Sequence, residues 1–495
     1  MKSMTESIIK AKLCPYPKNF VLKDDVLFLK NSTNIFVNTK NICLDKDKKK
    51  IKNLFNLYWE INPVLNFSVN DNLIFNNKEE YKIDINQEGI EISSIDISGI
   101  YIALKTLRQL AEPERNVKET NLVFFNHCTI EDSPKFNFRA LHLCYFPETD
   151  ILLIEKAIRL ASYYKFNHIV LEFWGIFPFE SHPEISFKGF ISKKQIQKIV
   201  DLGKNLNITF IPMFNLLGHA SGSRIISGKH STLDFHPKLA PLFEPGGWSW
   251  CLSNPETTKL QTDVVNELCD LFSESEYFHI GFDEAYDIGT CLECREKSIK
   301  ELVKNKILYF HDLLAKKNKK IMMWHDMLLR KDDLRWKDFQ ANALPHYQTE
   351  ELLDELPKDI VLIDWEYGYK IKNKSDFNNE WPTLAYLKSK GFPIVAAPWD
   401  WEQNIISFGE YAIKQDIFGI MATSWQSLEQ NMEHIFYYNS QIAWGTDGIW
   451  KDNNYKKDKE YFSHARIAFN KHLREVVQDM KISKYEYTGK IRKKI

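Results

Sequence analysis

The run Phe278-His279-Ile280-Gly281-Phe282-Asp283-Glu284 ends a short apolar stretch in two adjacent carboxylates. An acidic dipeptide often does no more than cap the next helix. At the end of a buried strand it acquires other uses, because one acid can donate a proton while the other remains charged. Two carboxylates suit the cleavage of a glycosidic bond, yet neighbours in sequence cannot easily stand on opposite faces of one sugar ring as separate acid and nucleophile must. A 2-acetamido group on the substrate can supply the nucleophile instead. Its carbonyl oxygen attacks C1 to give an oxazolinium ion, one carboxylate orients and stabilises the amide N–H, and the other protonates the leaving oxygen.

Tryptophans and further polar residues recur at the ends of similar apolar runs. Arg139 lies in the first, Glu172 and Trp174 close the second, and Asn215 and His219 follow the third. Trp324 and Asp326 follow the fifth run, Trp365 the sixth, Trp399 and Asp400 the seventh, and Trp425 the eighth. Aromatic walls with a few carboxylates and an arginine suit a sugar, which offers C–H faces for stacking and a rim of hydroxyls. A single tryptophan is more often core than platform, but the repetition favours a shared pocket.

Eight strand-like runs must carry these residues: Arg139–Cys144, His168–Phe173, Ile208–Phe214, Tyr277–Phe282, Lys320–Trp324, Ile360–Trp365, Pro393–Ala397 and Gly419–Ser424. Helical or long irregular segments separate them, and Asp150 stands where it can cap the helix after the first. This alternation predicts an α/β chain whose residues 133–495 form a (β/α)8 TIM barrel with a C-terminal helical extension. Chemistry then belongs at the strand C-termini. Upstream, Tyr81–Ile92 alternates about Gly89 as a hairpin, and Ile100, Ala103, Leu104, Leu107 and Leu110 make the apolar face of a helix. Residues 1–132 therefore read as a small α+β domain, an antiparallel sheet with a packed helix.

With these motifs in place, the chain resembles glycoside hydrolase family 20, the β-N-acetylhexosaminidase family, over about residues 15–450. The resemblance rests on the GIEISSIDISGIYIALKTLRQL segment, Phe138-Arg139, the Gly218-His219-Ala220 turn, Ser253-Asn254-Pro255-Glu256-Thr257, the strand ending in Asp283-Glu284, and Trp425. It implies a retaining exo-enzyme that removes terminal β-linked GalNAc or GlcNAc by the acetamido route, which this family uses as an exception among glycosidases. By the same resemblance Asp283 holds the acetamido group and Glu284 is general acid, then base. Arg139 binds sugar hydroxyls, His219 ties the acid into a polar network beside Glu172, and Trp324, Trp365 and Trp425 shape the pocket. Trp399, Asp400 or Tyr367 stands in for the family's tyrosine. Cys144, Asn215, Phe282 and the Gln426-Ser427 pair depart from the usual pattern. The missing acid at Ser427 predicts tolerance of, or preference for, the galacto sugar.

The sequence also excludes several classes. Lys and Arg total 65 against 66 Asp and Glu, a formal charge of −1, so nucleic acid and anionic membrane lack the basic field they would need. No apolar run reaches the length of a membrane span, and the first twenty residues lack a secretory pattern. Together with eight scattered cysteines, this points to a cytoplasmic protein. The expected partner is a carbohydrate with a terminal N-acetylhexosamine, with self-association as a homodimer left open. A metal-dependent barrel hydrolase using His142, His219, His279, His325 and Asp326 is a weaker rival, since no His-Glu-x-x-His helix or paired His-x-His appears. A non-catalytic carbohydrate-binding protein on the same scaffold is the other. Cys291-x-x-Cys294 stands as a lone pair in the sequence and reads as a plain loop or a redox-sensitive pair. No metal and no cofactor is expected.

Overall fold

The computed structural model describes residues 9, 12–41, 43–113, 123–187, 189, 191–221, 232–368, 380–425, 428, 432–445 and 459–480. The first unit is a sheet of strands β1 (Asn19–Leu29), β2 (Asn34–Thr39), β3 (Val64–Val69), β4 (Tyr81–Asn86), β5 (Gly89–Ser94), β6 (Glu112–Pro113) and β7 (Val123–Asp132). Its order is β1-β7-β4-β5-β2-β3, with β6 on β7. The expected hairpin is β4–β5, antiparallel, with Asn86 opposite Gly89. The sheet is mixed rather than wholly antiparallel, because β2 runs parallel to both β3 and β5. Helix α1 (Asp45–Trp59) and helix α2 (Ile97–Leu110) pack beside it. Asp96 caps α2 by accepting the Ser98 N–H. From Gly99 to Leu110 every residue of α2 is buried, polar ones included, because this helix is enclosed between the sheet and the second unit.

That second unit is a closed eight-stranded parallel barrel. Its strands are β8 (Phe138–Tyr145), β9 (His168–Phe173), β10 (Thr209–Met213), β11 (Tyr277–His279), β12 (Lys320–Trp324), β13 (Val361–Asp364), β14 (Ile394–Ala396) and β15 (Gly419–Ala422). The expected α/β barrel behind a small α+β domain is therefore present, with all eight strands where the apolar runs lie. Asp150 accepts the Leu152 N–H and so starts helix α3 (Ile151–Tyr163) as its position predicts. The largest departure is at β11. The regular strand ends at His279 rather than Phe282: Ile280 and the Gly281 carbonyl still bond to the flanking segments, but Gly281 and Phe282 turn to φ values of 70° and 78° and carry the chain out of the sheet. Among the described residues no helix is long and apolar enough to cross a membrane.

The two units meet at the N-terminal ends of the barrel strands, opposite the mouth. Asp132 accepts from Tyr81 Oη at 2.9 Å and Trp444 Nε1 at 2.6 Å, and pairs with Lys165 at 3.2 Å. Helix α2 sends Arg108 to Asp479, at the end of the long helix Lys459–Asp479.

Candidate active site

The turn after β11 builds the centre. Gly281 accommodates its left-handed φ without strain, and its missing side chain lets the backbone lie against Asn215, whose Oδ1 would be 1.5 Å from a Cβ placed there. The chain then holds Phe282 at 78° and Glu284 at 49°, with His219 across the gap at 54°. Three non-glycine residues in the left-handed region at one place is a concentration of backbone strain of the kind that marks functional sites, each costing on the order of 1–3 kcal/mol. Gly218 permits the closest approach, since a Cβ there would be 2.1 Å from the Asp283 carbonyl oxygen.

The result is a histidine set between two acids. His219 Nε2 lies 3.1 Å from Asp283 Oδ2 and 3.3 Å from Glu284 Oε2. The side chain of Asp283 is 9% exposed and that of Glu284 28%, so the second is the more open to a group arriving from solvent. Asp326, fully buried, fixes the acid loop from below. Its Oδ2 accepts the Glu284 backbone N–H at 3.0 Å and Asn342 Nδ2 at 2.8 Å, and its Oδ1 accepts Trp365 Nε1 at 3.0 Å. Burial, with the Asp283 charge beside it, pushes the Asp326 carboxyl up to about 6.

Aromatic rings enclose the same space. Trp324, Trp365 and Tyr367 belong to one buried cluster against which Trp399 and Trp425 pack. Trp425 Nε1 donates to Tyr367 Oη at 2.7 Å, and the Tyr367 ring lies 5.2 Å from both Trp365 and Trp399. Trp324 Nε1 is buried with no hydrogen-bond partner among the described residues, a donor available to a ligand atom. On the other side of Glu284, Trp248 donates Nε1 to the Glu284 carbonyl at 2.6 Å and lies 4.6 Å from the His219 ring. Tyr286 is nearly parallel to Trp248 at 6.1 Å, and burial together with the nearby Glu284 charge raises its phenol. These two rings form an outer wall beyond the acid.

Asp283, Glu284, His219, Trp324, Trp365, Trp399 and Trp425 thus surround one mouth. Glu172 is buried beside them, accepting Asn215 Nδ2 at 3.2 Å and lying 3.4 Å from His142 Nε2. Asp400 is exposed at the rim. Arg139 is a correction. It is the second residue of β8, at the opposite end of the barrel, fully buried and paired with Glu79 of the first unit at 2.7 Å. A guanidinium there cannot reach a sugar at the mouth. Gln426 and Ser427 lie outside the described residues. Asp326 stood at its strand end in the sequence but figured only in the rival metal reading, while Trp248, Tyr286 and Asn342 went unnoticed because they lie on loops without a periodic signal.

Besides His219, two histidines of the metal reading have buried acidic neighbours, in the sets His142, Cys144, Glu172 and His325, Asp364, Glu366. The second set is knitted by protein hydrogen bonds: His325 Nε2 lies 3.1 Å from the Gln340 carbonyl, Glu366 accepts the Gln340 N–H at 2.6 Å, and Asp364 accepts Thr383 Oγ1 at 3.0 Å. That places a proton on His325 Nε2 and removes it as a ligand atom.

Comparison with known proteins agrees with this arrangement. The sequence model described as glycosyl hydrolase family 20, catalytic domain, matches residues 162–439, more than half of the chain, and the family's domain 2 matches residues 10–133. A β-hexosaminidase of Porphyromonas gingivalis is 24% identical over 233 residues, covering 42% of this chain and 29% of that protein. Hexosaminidase D of Bos taurus is 28% identical over 130 residues, 25% of this chain and 34% of that one. These matches span about a third of the curated relatives' length. Among solved structures, an N-acetyl-β-hexosaminidase of Streptomyces plicatus in complex with Thio-NAglucal superposes with a TM-score of 0.66 at 15% identity, covering 94% of this chain and 97% of that one. An exo-β-N-acetylglucosaminidase of Vibrio harveyi in complex with N-acetylglucosamine gives 0.67 at 17%, covering 95% and 78%. At such identity the structural likeness carries the fold.

Proposed function

Because the chain belongs to glycosyl hydrolase family 20, we propose that it is a retaining exo-β-N-acetylhexosaminidase that removes terminal β-linked GalNAc or GlcNAc through an oxazolinium intermediate. The observation that carries this reading is His219 held between Asp283 and Glu284, with Glu284 the more exposed acid at a tryptophan-lined mouth. The acetamido oxygen of the substrate bonds to C1 as the C1–O bond to the leaving group breaks, and Glu284 gives its proton to the departing oxygen. Asp283 accepts the amide N–H and balances the positive charge that develops on the oxazolinium. Water then attacks C1, Glu284 takes its proton, and the acetamide re-forms, so two inversions retain configuration. Trp324, Trp365 and Trp425 press the acetamido group toward C1, and the hydrogen bond from Trp425 to Tyr367 fixes one wall. Glu172 and Asn215 act as support beside His219. Trp399 and Asp400 meet the outer hydroxyls, where the galacto and gluco epimers differ. The relatives named as hexosaminidases, and the one named as an exo-enzyme, support the same reading.

The test uses paired aryl substrates with and without the 2-acetamido group. Turnover is expected only with it, and a thiazoline mimic of the intermediate should bind at least about a hundredfold more tightly than substrate. With a leaving group that needs no protonation, Glu284→Gln should keep much of the first step while Asp283→Asn stays impaired. Isolation of a covalent glycosyl ester on the protein would overturn the mechanism. Absence of turnover with every aryl hexosaminide would leave a carbohydrate-binding protein instead.

A further inference from the structure

Cys291 and Cys294 are not a lone pair in space. Cys251, forty residues earlier, brings its Sγ to 3.6 Å from that of Cys291 and 3.7 Å from that of Cys294. Glu244 completes a set of four whose candidate ligand atoms all lie within 4.8 Å of one another. The thiols are unbridged, and their separations far exceed the roughly 2.05 Å of a disulfide. They match another geometry, since thiolates about 2.3 Å from a tetrahedral zinc stand about 3.8 Å apart along each edge.

Independent features point to a ligand at this place. Glu244 is 1% exposed, and its Oε2 accepts the N–H groups of Thr290 at 3.0 Å and Cys291 at 2.7 Å. Its Oε1 is buried without a hydrogen-bond partner among the described residues. In the metal-free protein the Cys294 thiol is the neighbour placed to share a proton with this carboxylate, and a cation would replace that proton. Backbone amides are arranged for sulfur anions: the Cys294 N–H donates to Cys291 Sγ at 3.3 Å, and those of Ser253 and Asn254 face Cys251. The buried Lys306 ammonium donates to two neutral atoms, Thr258 Oγ1 at 2.7 Å and Gln261 Oε1 at 3.1 Å, while facing Cys251 and Cys294. Three thiolates and a carboxylate around a divalent cation carry net negative charge, which that ammonium offsets in part.

We propose that Cys251, Cys291, Cys294 and Glu244 bind a structural zinc ion that clamps the loop following the catalytic acids to the loop bearing Trp248. Binding releases the three thiol protons to solvent and involves no electron transfer. One side of the clamp holds residues 244–251, which place Trp248 on the Glu284 carbonyl; the other holds residues 291–294, a few residues after Glu284. All four positions are filled by protein, so the ion is structural and takes no part in turnover.

Elemental analysis of the full chain, purified with a thiol reductant and without chelator, should give about one zinc per chain. Cobalt exchanged into it should show the absorption of thiolate-bound tetrahedral Co2+. Cys251→Ser and Cys294→Ser should lower retained zinc by about tenfold or more, while Cys43→Ser, remote from the cluster, should keep it. The wild-type measurements decide by themselves, independent of how well a cysteine variant folds without its metal. Metal-free wild type that fails to take up cobalt, or a native Cys251 disulfide to Cys291 or Cys294 found by alkylation and mass spectrometry, would overturn the proposal. None of these readouts depends on glycosidase activity.

Discussion

Asp326 receives three hydrogen bonds while standing against the Asp283 charge, and the two facts pull its proton in opposite directions. Burial and Asp283 win, so its carboxyl is raised to about 6 from an ordinary 3.8. A group raised on folding stabilises the fold fully below its unfolded value, and that contribution is lost as pH rises through about 6. Above that pH the protein carries a buried charge at a cost, and the return is a firm acceptor for the Glu284 N–H. Asp326→Asn should lower kcat/KM by about tenfold to a hundredfold, the worth of one charged hydrogen bond, with the melting temperature at pH 8 unchanged or higher. It should also flatten the fall of wild-type kcat/KM below about pH 6. Parallel losses of stability and activity would make Asp326 merely structural. At this scale the sequence was readable where chemistry and strand position coincide, as at Asp283, Glu284 and Trp425. Arg139 was misplaced although a signal existed: it opens its strand, and barrel chemistry gathers where strands close.

The turn from β11 into the acid pair shows what an element contributes beyond its residues. Gly281 and Gly391 have similar backbones, with φ of 70° and 86°, yet different surroundings. A Cβ at Gly391 meets nothing nearer than Lys358 Cδ at 4.0 Å, whereas at Gly281 it falls 1.5 Å from Asn215 Oδ1. Gly391→Ala should therefore cost only the backbone strain, about 1–2 kcal/mol in urea denaturation, with kcat/KM unaltered. Gly281→Ala adds a collision inside the site and should cost several times as much, and the surviving folded protein should turn over poorly because Asp283 and Glu284 shift with the turn. Equal costs at the two positions would mean that Asn215 moves aside freely. The eight barrel strands were legible because each is an apolar run of strand length. The early end of β11 was not, since Phe282 continues the apolar run past Gly281, where the backbone turns out of the sheet. The parallel pairing of β2 was hidden for a related reason: alternation reports which residues face inward but not the direction of a partner strand.

At the scale of the whole molecule, Arg139 links the two units rather than a substrate to a site. Its Nη1 lies 2.7 Å from Glu79 Oε2 and its Nη2 3.0 Å from Glu79 Oε1, while Nε donates to the Lys165 carbonyl at 3.0 Å and Nη1 to that of Phe136 at 2.8 Å. The guanidinium also lies 4.8 Å from the Trp444 ring. Burial alone would raise the Glu79 carboxyl; Arg139 outweighs it and holds that group below 4.5. A depressed carboxyl stabilises the fold above its unfolded value and loses that contribution as pH falls through the folded one. Arg139→Met keeps most of the side chain's length but strands Glu79 as a buried, uncompensated charge, so at pH 7 it should cost about 3–5 kcal/mol. As pH falls through the depressed folded value of Glu79 the wild type loses this contribution, and the stability of wild type and variant should converge. The KM of the folded variant should remain that of wild type, because the barrel mouth lies at the other end of the strands. Denaturation curves at a series of pH values from 7 downward, with KM measured on the folded fraction, separate the alternatives. A variant of undiminished stability that binds substrate poorly would return Arg139 to the sugar.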